Sequence, residues 1–138
     1  YVAALNHLYL ATPALFQQDG GWEGFSWIDP DNGDQSVLSY RRRDKHGKEI
    51  VVLINFTPVL REHFRVGVPF GGVWQEMFNS DARCFGGDDI LNKGDLRSAK
   101  RPMHGLPQSV VLTLPPLGAV ILRCRRKFPE KRRKYSEK

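Results

Sequence analysis

Apolar residues recur along this chain in two rhythms, one helical at the start and one alternating afterwards. Val2, Leu5, Leu8 and Tyr9 fall at helical spacing within residues 1–11, and Pro13 disfavours helical backbone at Thr12, which ends a short amphipathic helix. Asp19-Gly20-Gly21 then breaks the chain, and residues 24–29 (GFSWID) read as a short extended aromatic segment closed by a turn-rich run over 29–34. Residues 36–42 alternate polar with apolar, the pattern of a half-buried strand. Residues 50–56 (IVVLINF) are almost all apolar and rich in β-branched side chains, the pattern of a central one. Asp44-Lys45-His46-Gly47 between them supplies turn chemistry, so the two are expected to pair as a hairpin.

Residues 63–68 place Phe64, Val66 and Val68 on one face. Residues 73–79 set Val73, Gln75 and Met77 against Trp74, Glu76 and Phe78, and the Gly71-Gly72 turn predicts a second hairpin. Residues 86–107, punctuated by Gly, Pro, Asp and Asn without a sustained period, are expected to form a long irregular loop. Two last strands are expected at 109–114 and 119–124, joined through Pro115-Pro116-Leu117-Gly118. Strands at this spacing after one short helix predict an all-β, antiparallel β-sandwich.

Composition adds bounds. A chain of 138 residues, 41% of them hydrophobic, has room for one domain with a real core. No apolar run reaches bilayer length and the start lacks the features of a secretory signal, so a soluble, cytoplasmic chain with no membrane partner is expected. Tyr1 stands inside a helical pattern and is not Met, which suggests a chain starting partway through a longer polypeptide. The net charge of +6 is unevenly spread: nine Lys/Arg against two Glu follow from Arg123 onward, leaving twelve basic against thirteen acidic residues before it. The body is therefore nearly neutral, and the excess predicts a solvated, disordered basic tail over 126–138. Cys84 and Cys124 form no C-x-x-C pair and are expected as free thiols.

Candidate metal chemistry is thin. His7, His46, His63 and His104 are scattered without ligand spacing, so neither a metal nor a cofactor is expected. Gly86-Gly87-Asp88-Asp89 lacks the alternate oxygen ligands of a calcium loop and the α/β setting of the cyclic-dinucleotide synthase signature that it superficially resembles. A solvated turn is the better reading.

Several segments, in order, carry a family resemblance: Pro13-Ala14-Leu15 after the helix, Gly24-Phe25-Ser26-Trp27-Ile28-Asp29, Ser36-Val37-Leu38-Ser39-Tyr40 followed by Arg41-Arg42, and Asn55-Phe56-Thr57-Pro58-Val59. Further on come Gly72-Val73-Trp74-Gln75-Glu76, Asn79-Ser80-Asp81, His104-Gly105, and residues 109–117 (SVVLTLPPL). Collinear over residues 1 to about 123, this set resembles the C-terminal portion of glycogen branching enzymes of the α-amylase family. The resemblance implies two divisions, 1–20 as the last helix and exit segment of an upstream catalytic (β/α)8 barrel and 21–125 as a C-terminal β-sandwich, while the basic tail over 126–138 departs from the family pattern. The resemblance also implies an enzyme that cuts an α-1,4-glucan and transfers the piece to a 6-hydroxyl. The two carboxyl groups of such chemistry, about 5 Å apart, belong to the barrel, so no catalytic residue is expected in this chain.

The residues put forward for substrate contact are Trp27, Asp29 and Trp22. An indole face stacks on the apolar side of a glucose ring, while Asp29 or Glu23 accepts hydrogen bonds from sugar hydroxyls. The bland alternative is that both tryptophans only pack the sandwich against the barrel. Trp74, flanked by Val73 and Gln75, is expected in the core. Partners implied are α-1,4-glucan or glycogen and the barrel of the same polypeptide. Self-association is expected through an apolar surface near Leu5, Leu8, Tyr9 and residues 22–27. Two rivals remain: a free-standing carbohydrate-binding β-domain, and a basic-tailed nucleic-acid binder using Arg125, Arg126, Lys127 and the cluster from Lys131 to Lys134. The second is disfavoured by its lack of an aromatic platform.

Overall fold

The computed structural model describes residues 1–18, 24–29 and 36–129. Helix α1 (Val2–Ala11) is stopped by Thr12 in extended conformation. Pro13–Leu15 then makes one 3-10 turn with Pro at its first position, where the missing N–H has no partner to lose. Among the described residues eight strands follow: β1 (Phe25–Asp29), β2 (Val37–Arg43), β3 (Glu49–Asn55), β4 (Arg61–Val68), β5 (Gly72–Asn79), β6 (Leu96–Arg97), β7 (Gln108–Leu114) and β8 (Ala119–Lys127). Six of them form one antiparallel sheet in the order β1-β2-β3-β8-β5-β6, and β4 pairs with β7 in a second. The expected antiparallel all-β fold behind one short helix is what forms.

Alternation decides what lies between the sheets. Val51 and Leu53 of β3, Trp74 of β5, and Val120 and Leu122 of β8 meet Val66 and Val68 of β4 and Val110, Leu112 and Leu114 of β7 in one buried cluster. Each such aliphatic side chain contributes roughly 1.5–3 kcal/mol by leaving water. The opposite face of the large sheet is also covered. Ile50 and Val52 of β3 and Ile121 of β8 pack under Ala14, with Leu8 and Leu15 at the margin. This double burial explains why β3 reads as a continuous apolar run. Trp74, completely buried and stacked on Phe70 with ring centroids 5.4 Å apart, is the core residue expected of it.

The β2–β3 hairpin forms as expected. Asp44 Oδ1 accepts the N–H groups of His46 and Lys48, and Gly47 closes the turn at φ +78°, a conformation that suits glycine. The second hairpin does not form. β4 pairs with β7, and β5 pairs with β8 and β6, so the Gly71-Gly72 connection carries the chain from one sheet to the other. The turn at 115–118 does the same between β7 and β8. The basic run is also shorter than expected, because β8 continues to Lys127, where it pairs with Gly72, and the Phe128 N–H donates to Gly71 O. Residues 130–138 lie outside the described residues.

Residues 80–107 are not structureless. Asn92 takes the place of a strand neighbour for β7: its amide donates to Thr113 O and its carbonyl accepts the Thr113 N–H, both at 2.8 Å. Asn79 Oδ1 accepts the Asp81 N–H, Asp81 Oδ2 accepts from Ile90, and Asp89 Oδ1 accepts from Arg83. Met103 to Leu106 closes a two-residue turn with reciprocal backbone hydrogen bonds, His104 and Gly105 both at positive φ. That turn lies across β4 at Gly67, where a Cβ would run into the Met103 carbonyl.

Candidate functional site

β1 is the outer strand of the large sheet, and it presents an aromatic group on the face that also carries α1. Phe25 and Trp27, two residues apart, project to the same side. Trp27 stands directly across from Tyr40 of β2. Phe25 lies 5.1 Å from the Trp27 ring and 5.3 Å from Tyr40, while Trp27 and Tyr40 meet edge to face at 6.2 Å. Trp27 remains 50% exposed, so a ligand can reach its indole. Tyr40 is half-buried, and burial pushes its hydroxyl pKa up against the opposing pull of Arg42.

Arg42 ties this group to the segment that follows α1. Its guanidinium lies 5.8 Å from the Phe25 ring centroid and donates to the backbone carbonyls of Ala14 and Leu15 at 3.3 and 3.0 Å. Arg42 thus joins the aromatic group and the helix exit into one surface.

Asp29 does not join Trp27. Unbroken alternation would put both on one face, but the pairing slips between them: Trp27 faces Tyr40, and Asp29 faces the neighbouring Ser39. This bulge sends Asp29 to the other face of the sheet, where Oδ2 lies 3.4 Å from His104 Nε2. Asp29 and Trp27, put forward together for sugar contact, thus lie on opposite faces of the sheet. Trp22 and Glu23 lie outside the described residues. Tyr40 and Phe25 were missed as companions of Trp27, although the signal existed: a strand register between residues 25–27 and 40–42 brings these rings together.

Other candidates resolve into structure. Asp81 and Asp89 are occupied with backbone N–H groups, as given above, and among the described residues no group of three His, Cys, Asp or Glu side chains could hold a metal ion. An open groove of about 580 Å³ runs between the β2–β3 turn and β8, lined by Ile50, Met77, Lys48, Arg123 and Arg125. Three of the cations on β8 are turned to protein partners. Arg123 donates to Gln75, Arg125 pairs with Asp95 at 3.0 Å, and the Lys127 ammonium lies 4.6 Å from the Phe70 ring centroid. Of the α1 surface, Leu5 and Leu8 are half-buried, and the exposed apolar side chains are Val2, Tyr9 and Leu10. Cys84 and Cys124 are both free.

A six-stranded sheet backed by a two-stranded one, entered from a helix and with an exposed tryptophan on its edge strand, is an antiparallel β-sandwich domain. Residues 27–125 match the C-terminal all-beta domain of alpha amylase, and the chain belongs to that family. Within it, the chain is 50% identical over 118 residues to the 1,4-alpha-glucan branching enzyme GlgB of Nitrosomonas eutropha, covering 86% of this chain and 16% of that protein. It is 48% identical over 120 residues to the enzyme of the same name from Nitrosomonas europaea, with 87% and 16% covered, and 48% identical over 117 residues to that of Nitrosospira multiformis, with 85% and 16% covered. The chain thus spans about one sixth of the length of these relatives.

Proposed function

We propose that this chain is the C-terminal accessory domain of a cytoplasmic glycogen branching enzyme, one that cuts α-1,4-glucan and rejoins the piece as an α-1,6 branch. The observation that carries the reading is the identity of about half over most of the chain to proteins named 1,4-alpha-glucan branching enzyme. The domain itself is non-catalytic. Retaining glycoside transfer needs a nucleophilic carboxylate and a second carboxyl about 5 Å away, whereas Asp29, Asp81 and Asp89 are each committed to His104 or to backbone N–H groups. Its roles are to buttress the catalytic barrel of the same polypeptide and to offer Trp27 to a glucan chain.

The aromatic face supports the second role, because an exposed indole beside Tyr40 and Phe25 gives a glucose ring a flat apolar partner. The test is retention of the chain on immobilised amylopectin, comparing the unmodified protein with Trp27→Ala and with a version ending at Phe128. Retention lost with Trp27→Ala and kept on truncation supports glucan contact. No retention of the unmodified chain removes that role and leaves the buttress, and retention lost only on truncation places affinity in the basic tail.

A further inference from the structure

His104 sits in the left-handed backbone region at φ +52°, which costs a non-glycine residue about 1–2 kcal/mol. Such strain persists only where the surroundings over-determine it, and here the ring is hydrogen-bonded at one nitrogen and lies beside a carboxylate at the other. Nδ1 accepts the Gly67 N–H of β4 at 3.2 Å. An accepting Nδ1 carries no hydrogen, so the ring proton is on Nε2, and Nε2 faces Asp29 Oδ2 at 3.4 Å. The side chain is 15% exposed, and the turn beneath it presses on Gly67 closely enough to leave no room for a Cβ. One imidazole therefore joins β4 of the small sheet to the end of β1, the outermost strand of the large one.

We propose that His104 is a positioning residue for the Trp27 surface: by holding Asp29 on the far side of the bulge, it fixes β1 and so keeps the Trp27 indole turned outward against Tyr40. The inference rests on the glucan-contact reading for its consequence but not for its mechanism. β1 has five residues and, among the described residues, one strand neighbour, β2, so its ladder alone holds it weakly. The bulge between Trp27 and Asp29 interrupts that ladder at the point where His104 takes over. Asp29 thereby has a role different from sugar contact, and the turn at residues 103–106 has one as well.

The test uses the whole chain and two variants. His104→Asn keeps a residue that tolerates left-handed backbone but is too short to reach Asp29, and Asp29→Ala leaves the turn untouched while removing the oxygen that faces Nε2. Amide hydrogen exchange reads β1 directly, independently of any glucan. The expected result is exchange about threefold to tenfold faster over residues 25–29 in both variants, with β3 and β8 unchanged, and retention on amylopectin falling toward that of Trp27→Ala. Unchanged exchange at 25–29 in both variants overturns the proposal. So does faster exchange at 25–29 with full retention on amylopectin, because Trp27 would then not need the clip. If the unmodified chain is not retained at all, the glucan reading fails while exchange still decides the role of His104.

Discussion

Gly67→Ala tests the close crossing of β4 by the 103–106 turn. The new methyl would meet the Met103 carbonyl oxygen well inside van der Waals contact, with the Met103 carbonyl carbon at 3.1 Å and Leu106 Cβ at 3.3 Å. Two of these atoms are backbone, held by the reciprocal Met103–Leu106 hydrogen bonds, so no flexible side chain can swing away. Overpacking of this kind costs roughly 1–3 kcal/mol, and displacing the turn also loses the Gly67 to His104 bond, worth about 1 kcal/mol. Against this, alanine restricts the unfolded chain and returns about 0.4–1 kcal/mol. The balance is a loss of about 1–3 kcal/mol. In urea, with a slope of about 1–3 kcal/mol per molar, the midpoint should fall by roughly 1 M. A midpoint that holds or rises at unchanged slope would refute the crossing.

Gly47→Ala provides the contrast, since nothing lies within 4 Å of its Cβ but φ is +78°: a loss of about 1–2 kcal/mol from backbone alone is expected, and Gly47→Asn should recover part of it in the same urea titration. Asn55→Leu should cost several kcal/mol by calorimetry, because the Asn55 side chain donates to Val59 O and Pro115 O and accepts from Thr57, and each group orphaned in the interior costs about 1–3 kcal/mol. Thiol labelling should separate the cysteines. Cys84 is exposed, whereas burial raises the Cys124 pKa, so Cys124 should label more slowly at pH 8, and its rate should keep climbing to higher pH than an ordinary thiol's; equal pH profiles would contradict that shift. Leu10→Asp, on the exposed side of α1, should reduce concentration-dependent association in sedimentation if that side is where copies of the free domain meet.

The faces of the strands were legible in the sequence, and their partners were not. Phe64, Val66 and Val68 fall on one side of β4, as alternation requires, and all three pack in or against the core. Alternation is a property of one strand, however, and whether β4 pairs with β5 or with β7 depends on where the chain crosses between sheets. The Gly71-Gly72 turn permits either. The order within residues 80–107 was illegible for a related reason: Asn92 pairs with Thr113, which is 21 residues away, and no local period reports a side chain standing in for a strand. At the candidate site Trp27 was legible as an exposed aromatic residue, but the bulge that parts it from Asp29 was hidden, because a slip in register leaves no mark on composition.

The structure also explains why a handful of short motifs identified the family when periodicity could not. Asn55 in the Asn-Phe-Thr-Pro segment ties Val59, Thr57 and Pro115 together, and Ser80 Oγ in Asn-Ser-Asp accepts the Ala119 N–H at 2.8 Å. His104-Gly105 needs one residue that tolerates positive φ and reaches Asp29, followed by one that is free of Cβ strain. At these positions a side chain replaces a missing backbone partner, so chemical identity matters and a similar residue will not serve. At the alternating core positions many apolar residues fill the same volume. Several of the motifs thus fall in turns and strand exits, which is also where the geometry holding Trp27 outward is set.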